Sequence, residues 1–183
     1  RKNGSEREAF ETIVASGARS AMPHGRASGK LLEAATSSPS TTAPDRGGYF
    51  SDITRTVAIG QPSDEMRHIY EVVKLANAAG RAAVKPGATG QDVDRATREV
   101  IEESGLGEYF THRTGHGLGL EGHEPPYMVE GDTTPLQPGM TFTVEPGLYI
   151  PGKGGVRIED NLVVTEMGGE SLTTYSRDLI VVG

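Results

Sequence analysis

Thr143-Val144-Glu145-Pro146-Gly147 and Val156-Arg157-Ile158-Glu159-Asp160 decide the fold, because each sets a glutamate inside a run that otherwise reads as a buried strand. The runs from Thr141 to Ile150 and from Val156 to Thr165 are rich in Val, Ile, Leu, Phe and Thr and are divided by Gly and Pro turns, the chemistry of strands. Phe142, Val144, Val156 and Ile158 sit beside the two glutamates. A carboxylate buried among such neighbours is costly unless it is paired or binds a cation.

Upstream, His112-Arg113-Thr114-Gly115-His116-Gly117-Leu118-Gly119-Leu120, followed by His123 and Glu124, sets histidines among glycines. Gly115 to Leu120 reads as a further strand whose glycines let the backbone approach a crowded site. Ser51-Asp52-Ile53-Thr54-Arg55-Thr56 lies in a strand region from Tyr49 to Ile59, with Asp52 one step off a strand whose Ile53 and Val57 share a face. Ser63 reads as an N-cap with Asp64 and Glu65 in the first turn. The helix it opens carries Ile69, Val72, Val73 and Ala76 at helical spacing and runs toward Val84, before Pro86-Gly87. A second helix opens near Thr89 or Gly90, carries Val93, Ala96, Val100 and Ile101, and ends at Gly105. Phe10 to Gly17 reads as a strand closed by glycine, and 21–30 as a polar loop holding Pro23-His24-Gly25. Together these elements predict an α+β domain: a curved, mainly antiparallel sheet with helices on one face.

Ala35-Thr36-Ser37-Ser38-Pro39-Ser40-Thr41-Thr42-Ala43-Pro44 stands apart, with no large apolar residue and no periodicity. Taken alone it reads as a flexible linker.

The chain has 183 residues, enough for one domain with a core. Only 35% are hydrophobic and 25 are glycine, so turns and loops surround a modest core. The formal net charge of -7 argues against a nucleic-acid surface, which needs clustered Lys and Arg. Without cysteine there is neither a disulfide framework nor a thiolate site, so a transition metal must be held by His and carboxylate. No apolar run approaches the length of a membrane span, and a cytoplasmic protein is the default expectation. Singly, Asp52, His116, Glu145 and Glu159 each have an ordinary structural reading as turn or surface residues. As a set they are an oxygen and nitrogen donor group suited to Mn, Co, Fe or Zn. The chemistry that fits is hydrolysis, in which metals lower the pKa of a shared water and polarise a carbonyl.

In this order the motifs Ser-Asp-Ile-Thr-Arg-Thr, His-Arg-Thr-Gly-His-Gly-Leu-Gly-Leu, Val-Glu-Pro-Gly-Leu-Tyr and Gly-Val-Arg-Ile-Glu-Asp resemble those of the pita-bread metallopeptidases. That family includes methionine aminopeptidase, aminopeptidase P and prolidase, and the resemblance is strongest to the bacterial Xaa-Pro dipeptidase type. It covers nearly the whole chain and implies a single catalytic domain over residues 1–183 that lacks the family's N-terminal domain and the first helix of the catalytic domain. It implies metal ligands at Asp52, His116, Glu145 and Glu159. It also implies substrate contacts at His24, His112 and His123, and catalytic roles for His123, Glu145, His112 and Arg157. The implied cofactors are divalent ions, two per chain in the family, with Mn first and Co or Zn as alternatives. The implied substrate is a short peptide with proline at its second position, and the relatives' architecture suggests a homodimer. Aminopeptidase P-type cleavage of longer peptides and a non-catalytic binding module are the rival readings.

One family ligand is missing. Its first Asp lies eleven residues before the second, a position held here by Thr41 in the anomalous Ser/Thr/Pro stretch of residues 35–45. Thr41 has a neutral hydroxyl and does not replace a chelating carboxylate, so the resemblance predicts one competent and one crippled metal position. Written in GC-rich codons and read one base earlier, Ala35 to Pro44 becomes Gly-Asp-Leu-Val-Pro-Val-Asp-Tyr-Gly-Ala, a family-like strand with its second Asp at position 41. A one-base deletion compensated near residues 45–47 would produce the present sequence.

Overall fold

Two capped helices cover one side of the described sheets. Helix α1 (Asp64–Ala83) starts where Ser63 accepts a hydrogen bond from the Met66 amide, with Asp64 and Glu65 against the positive end of the helix dipole. Helix α2 (Gly90–Glu103) starts with a reciprocal capping box between Thr89 and Asp92. This computed structural model describes residues 7–8, 11–29, 31–32, 36–42 and 44–183, with side chains for 11–29, 31–32 and 47–183. The strands, in chain order, are β1 (Arg7–Glu8), β2 (Ile13–Val14), β3 (Thr36–Thr42), β4 (Pro44–Arg46), β5 (Tyr49–Phe50), β6 (Ile53–Ile59), β7 (Gly115–Gly117), β8 (Glu124–Met128), β9 (Thr141–Val144), β10 (Gly147–Ile150), β11 (Gly154–Arg157), β12 (Asp160–Thr165), β13 (Gly168–Ser171) and β14 (Ile180–Val182).

One sheet runs β13-β12-β9-β7-β8 and is antiparallel throughout. A second runs β14-β6-β3-β2, antiparallel except for the parallel pair β14 and β6. The hairpin β10-β11 continues from the first sheet, and a bridge between Thr54 and Glu159 joins it to β6. Ile69, Tyr70, Val73 and Ala76 of α1 and Ile101 of α2 pack on Leu148, Val156 and Ile158. Val93 of α2 packs with Phe142, Val144 and Leu162. Because strand side chains alternate, Thr143 and Glu145, like Arg157 and Glu159, face away from the helices.

Five expectations are corrected. The linker reading fails over residues 36–42, which form β3, paired along its whole length with β6, while Ala35 and Ala43 lie outside the described residues. Strand pairing is made by backbone groups, and β6 supplies an edge that needs no apolar partner sequence. The run from Thr141 to Ile150 breaks at Glu145-Pro146, where proline has no amide to give a ladder. The run from Val156 to Thr165 breaks opposite it, at Ile158-Glu159. The strand from Gly115 stops at Gly117, where the register against β8 shifts. The strand expected from Phe10 is described only as Ile13–Val14, and Phe10 lies outside the described residues.

Candidate metal centre

Three strand ends and the middle of a fourth strand deliver the candidate ligands to one place. Asp52 immediately precedes β6, His116 is the middle residue of β7, Glu145 follows β9 and Glu159 precedes β12. Asp52, His116 and Glu159 are buried, and each offers one donor atom within 4.8 Å of those of the other two. Glu145 adjoins them, its Oε1 3.3 Å from His116 Nε2. The glycines beside His116 allow this approach: a Cβ on Gly115 would lie 1.8 Å from the Thr143 carbonyl oxygen, and one on Gly117 2.4 Å from that of Pro125.

The donors suit a cation. His116 Nδ1 is 3.1 Å from the Gly117 carbonyl, which fixes it as the donor and turns Nε2 to the carboxylates. Thr54 donates to Glu159 Oε2, while Glu159 Oε1 and Asp52 Oδ1 are buried without a hydrogen-bond partner among the described residues. Burial, together with the Glu159 and Glu145 charges, pushes the Asp52 carboxyl far up. Burial and the Glu145 charge likewise raise Glu159. Burial also works against Glu145, but the His116 hydrogen bond and the His116 and Arg157 charges outweigh it and hold that carboxyl low. His116 is itself raised, because Glu145 overcomes the cost of burying the imidazolium. Orphaned carboxylate oxygens that take up protons in the absence of a metal are what a divalent cation site requires.

Around this cluster the remaining expected residues line a cleft of about 640 Å³ and an adjoining one of about 390 Å³. His24 and His123 are exposed, and the His123 ring stacks edge-on against His116 with centroids 4.0 Å apart. His112 Nε2 meets the Tyr149 hydroxyl at 3.0 Å, and burial lowers its pKa. Arg157 donates to that hydroxyl at 3.1 Å, to Thr54 Oγ1 at 3.1 Å and to the Pro23 carbonyl at 3.0 Å, anchoring the His24 loop. Backbone register sets position 41 opposite Thr54 on one side and Ile13 on the other. The side chain of Thr41 lies outside the described residues.

Sequence reasoning missed Phe50, which lines the larger cleft against Gly122, and Thr54 and Tyr149, which hold Glu159, Arg157 and His112 in place. Thr54 and Tyr149 lie inside motifs already singled out, and their alternation with core residues was the available signal.

A curved antiparallel sheet backed by two helices, with an Asp, a His and two Glu gathered on its open face, defines the pita-bread class of metallohydrolase. The chain belongs to metallopeptidase family M24, whose family model matches residues 1–166. It is 48% identical over 178 residues to an Xaa-Pro dipeptidase of Pyrococcus furiosus, covering 97% of this chain and 51% of that protein. The structure of an Xaa-Pro dipeptidase from Bacillus anthracis superposes with a TM-score of 0.97 at 49% identity, over 100% of this chain and 51% of that one. An X-Pro aminopeptidase from Thermotoga maritima gives 0.96 at 46% identity, over 100% and 52%. The chain thus spans about half the length of these relatives. Among the described residues no helix is long and apolar enough to cross a membrane.

Proposed function

We propose that this chain is the catalytic domain of a metal-dependent peptidase that hydrolyses the bond before proline in short peptides. The observation that carries the reading is the convergence of Asp52, His116 and Glu159, two of them with buried oxygens that have no hydrogen-bond partner among the described residues. The relatives' names supply the substrate class, a peptide with proline at its second position.

Asp52, His116, Glu145 and Glu159 would hold the divalent cation, Mn first among the candidates. A bound cation polarises a peptide carbonyl and lowers the pKa of water. Glu145, the carboxylate held low, accepts a proton and returns it to the leaving amine. His123, exposed at the cleft beside His116, donates a hydrogen bond to the carbonyl oxygen as charge develops there. His24 and His112 contact the substrate, and Arg157 Nη1 holds both in place, through the Pro23 carbonyl on one hand and the Tyr149 hydroxyl that meets His112 on the other.

Thr41 refines the proposal to one strong metal position and one weakened position. Its backbone stands opposite Thr54, beside the cluster, with no carboxylate to offer. Elemental analysis after exposure to Mn and desalting, with an Ala-Pro hydrolysis assay, tests both levels. About one Mn per chain with measurable hydrolysis is expected. Two per chain would remove the Thr41 argument, and none, with a folded chain and no hydrolysis, would leave a binding module. Peptide sequencing across residues 31–55 tests the reading-frame origin of β3, since Thr-Ser-Ser-Pro must appear if the rewritten strand exists in the protein.

A further inference from the structure

The ladder between β9 and β12 ends at the pair Val144 and Asp160. The next ladder begins at Gly147 and Arg157, between β10 and β11. Glu145 and Pro146 on one side and Ile158 and Glu159 on the other therefore fall in a gap between two ladders. Within that gap one backbone bond is made, from the Ile158 amide to the Pro146 carbonyl at 3.3 Å. Beyond it the two glutamates are tied to different neighbours, the Glu145 amide to Thr114 and the Glu159 amide to Thr54. Regular strand pairing thus does not set the distance between the two carboxylates.

Asn77 reaches into this gap from α1. It is fully buried, and its Nδ2 donates to the Val144 carbonyl at 3.1 Å and to the Ile158 carbonyl at 3.4 Å. These carbonyls belong to the residues immediately before Glu145 and Glu159. The orientation of the amide is fixed from behind: Arg81 Nε, which can only donate, lies 2.8 Å from Asn77 Oδ1, so the nitrogen must face the strands. Asn77 is the last buried polar residue on a face that otherwise carries Ile69, Val73 and Ala76. A buried amide is tolerated there because its oxygen and both donor directions are used.

We propose that Asn77 is a positioning residue for the metal centre: by clamping the Val144 and Ile158 carbonyls it sets the spacing of Glu145 and Glu159. The idea rests on the proposed metal function of those glutamates. It makes no contact with metal or substrate and acts through two peptide groups. Groups hydrogen-bonded to the ligands themselves typically change metal affinity about 10–100-fold, and Asn77 acts one step further out, so the low end of that range is expected.

The test is Mn titration of the purified chain by calorimetry, with Co absorption as a readout of ligand geometry. Asn77→Leu keeps the volume and removes both donors. Asn77→Asp keeps the Arg81 contact and removes the donors, and serves where the Leu variant does not fold. Val73→Ala, in the same buried cluster but with no polar group to bond either carbonyl, is the control for a merely destabilised helix. We expect each Asn77 variant to bind Mn about tenfold more weakly, with an altered Co spectrum, and Val73→Ala to lose stability with Mn affinity and spectrum unchanged. Unchanged affinity in a folded Asn77 variant overturns the proposal, as does an equal loss in Val73→Ala. Absence of Mn binding in the unaltered chain overturns instead the metal reading on which it stands.

Discussion

Asp160 is fully buried and holds Arg55 and Arg177 at 2.7 Å each. Arg55, itself only 9% exposed, also donates to the carbonyls of Thr54, Glu159, Tyr175 and Ser176. One guanidinium thus ties the backbone on both sides of the candidate centre to the segment leading to β14. Substituting Arg55→Met strips the buried carbonyls of Thr54 and Glu159 and the part-buried ones of Tyr175 and Ser176, and leaves Asp160 with one strong partner, and Asp160→Asn leaves Arg55 and Arg177 facing a neutral amide. Breaking a buried pair typically costs about 3–5 kcal/mol, a large share of a domain's total stability of about 5–15 kcal/mol. Because both substitutions remove the same contact, the double variant should lose less than the sum by about 1–3 kcal/mol. Urea unfolding at neutral pH measures all four states, repeated at about 1 M salt, where surface pairs are screened. Strict additivity, or a coupling that vanishes in salt, would refute the view that this pair is desolvated and structural.

Four further outcomes are expected. Gly115→Ala forces a Cβ to 1.8 Å from a backbone oxygen of β9, so it should cost about 3 kcal/mol or more in urea unfolding and weaken Mn binding through its neighbour His116. Thr89→Ala, which removes the α2 cap, should cost about 1 kcal/mol and leave Mn binding unchanged in the same titration. Thr41→Asp should raise the Mn content toward a second ion per chain by elemental analysis, and an unchanged content would show that position 41 is not what limits the site. For pH the sign follows from raised carboxyls: Asp52 and Glu159 keep protons in the folded, metal-free chain that the unfolded chain releases above the ordinary values of 3.8 and 4.5. Metal-free stability from these groups should therefore be complete below those values and decline as pH rises toward Glu159's value of about 7 and beyond. Mn affinity should rise over the same range with release of protons, and saturating Mn at a hundred times its Kd should add about 2.7 kcal/mol by thermal unfolding.

The helices were legible because their signals are local: Ser63 and Thr89 cap them, and the apolar stripe of α1 needs only its own spacing. Glu145 and Glu159 were legible for a related reason, as polar positions out of phase with core residues two apart. What the sequence hid is long-range or backbone-made. Glu124-Pro125-Pro126-Tyr127-Met128 forms β8 although two prolines read as a turn, and its place at the sheet edge is what tolerates them. The parallel pairing of Ile180–Val182 with β6 depends on the chain returning across more than a hundred residues, which no local pattern encodes. β3 was hidden most deeply, since its Ser, Thr and Pro residues carry no strand pattern and its register is set by β6. Asn77 reads in sequence as an ordinary polar helix residue, and only the two carbonyls it meets give it a role.

Glu159 and Asp160 are adjacent and both buried, yet the protein treats them oppositely. Strand alternation sends Asp160 to the side where Arg55 and Arg177 neutralise it. It sends Glu159 to the cleft, where Glu145 adds like charge and Arg157 offsets it only in part. A fold selected only for stability would pair the second carboxylate as it pairs the first, because an unpartnered buried oxygen is expensive. Protons taken up by Asp52 and Glu159 lessen that cost in the metal-free chain, and a divalent cation removes it while using the orphaned oxygens as ligands. The unpaired side of this one strand is therefore the physical argument for a metal centre, independent of any likeness to other proteins.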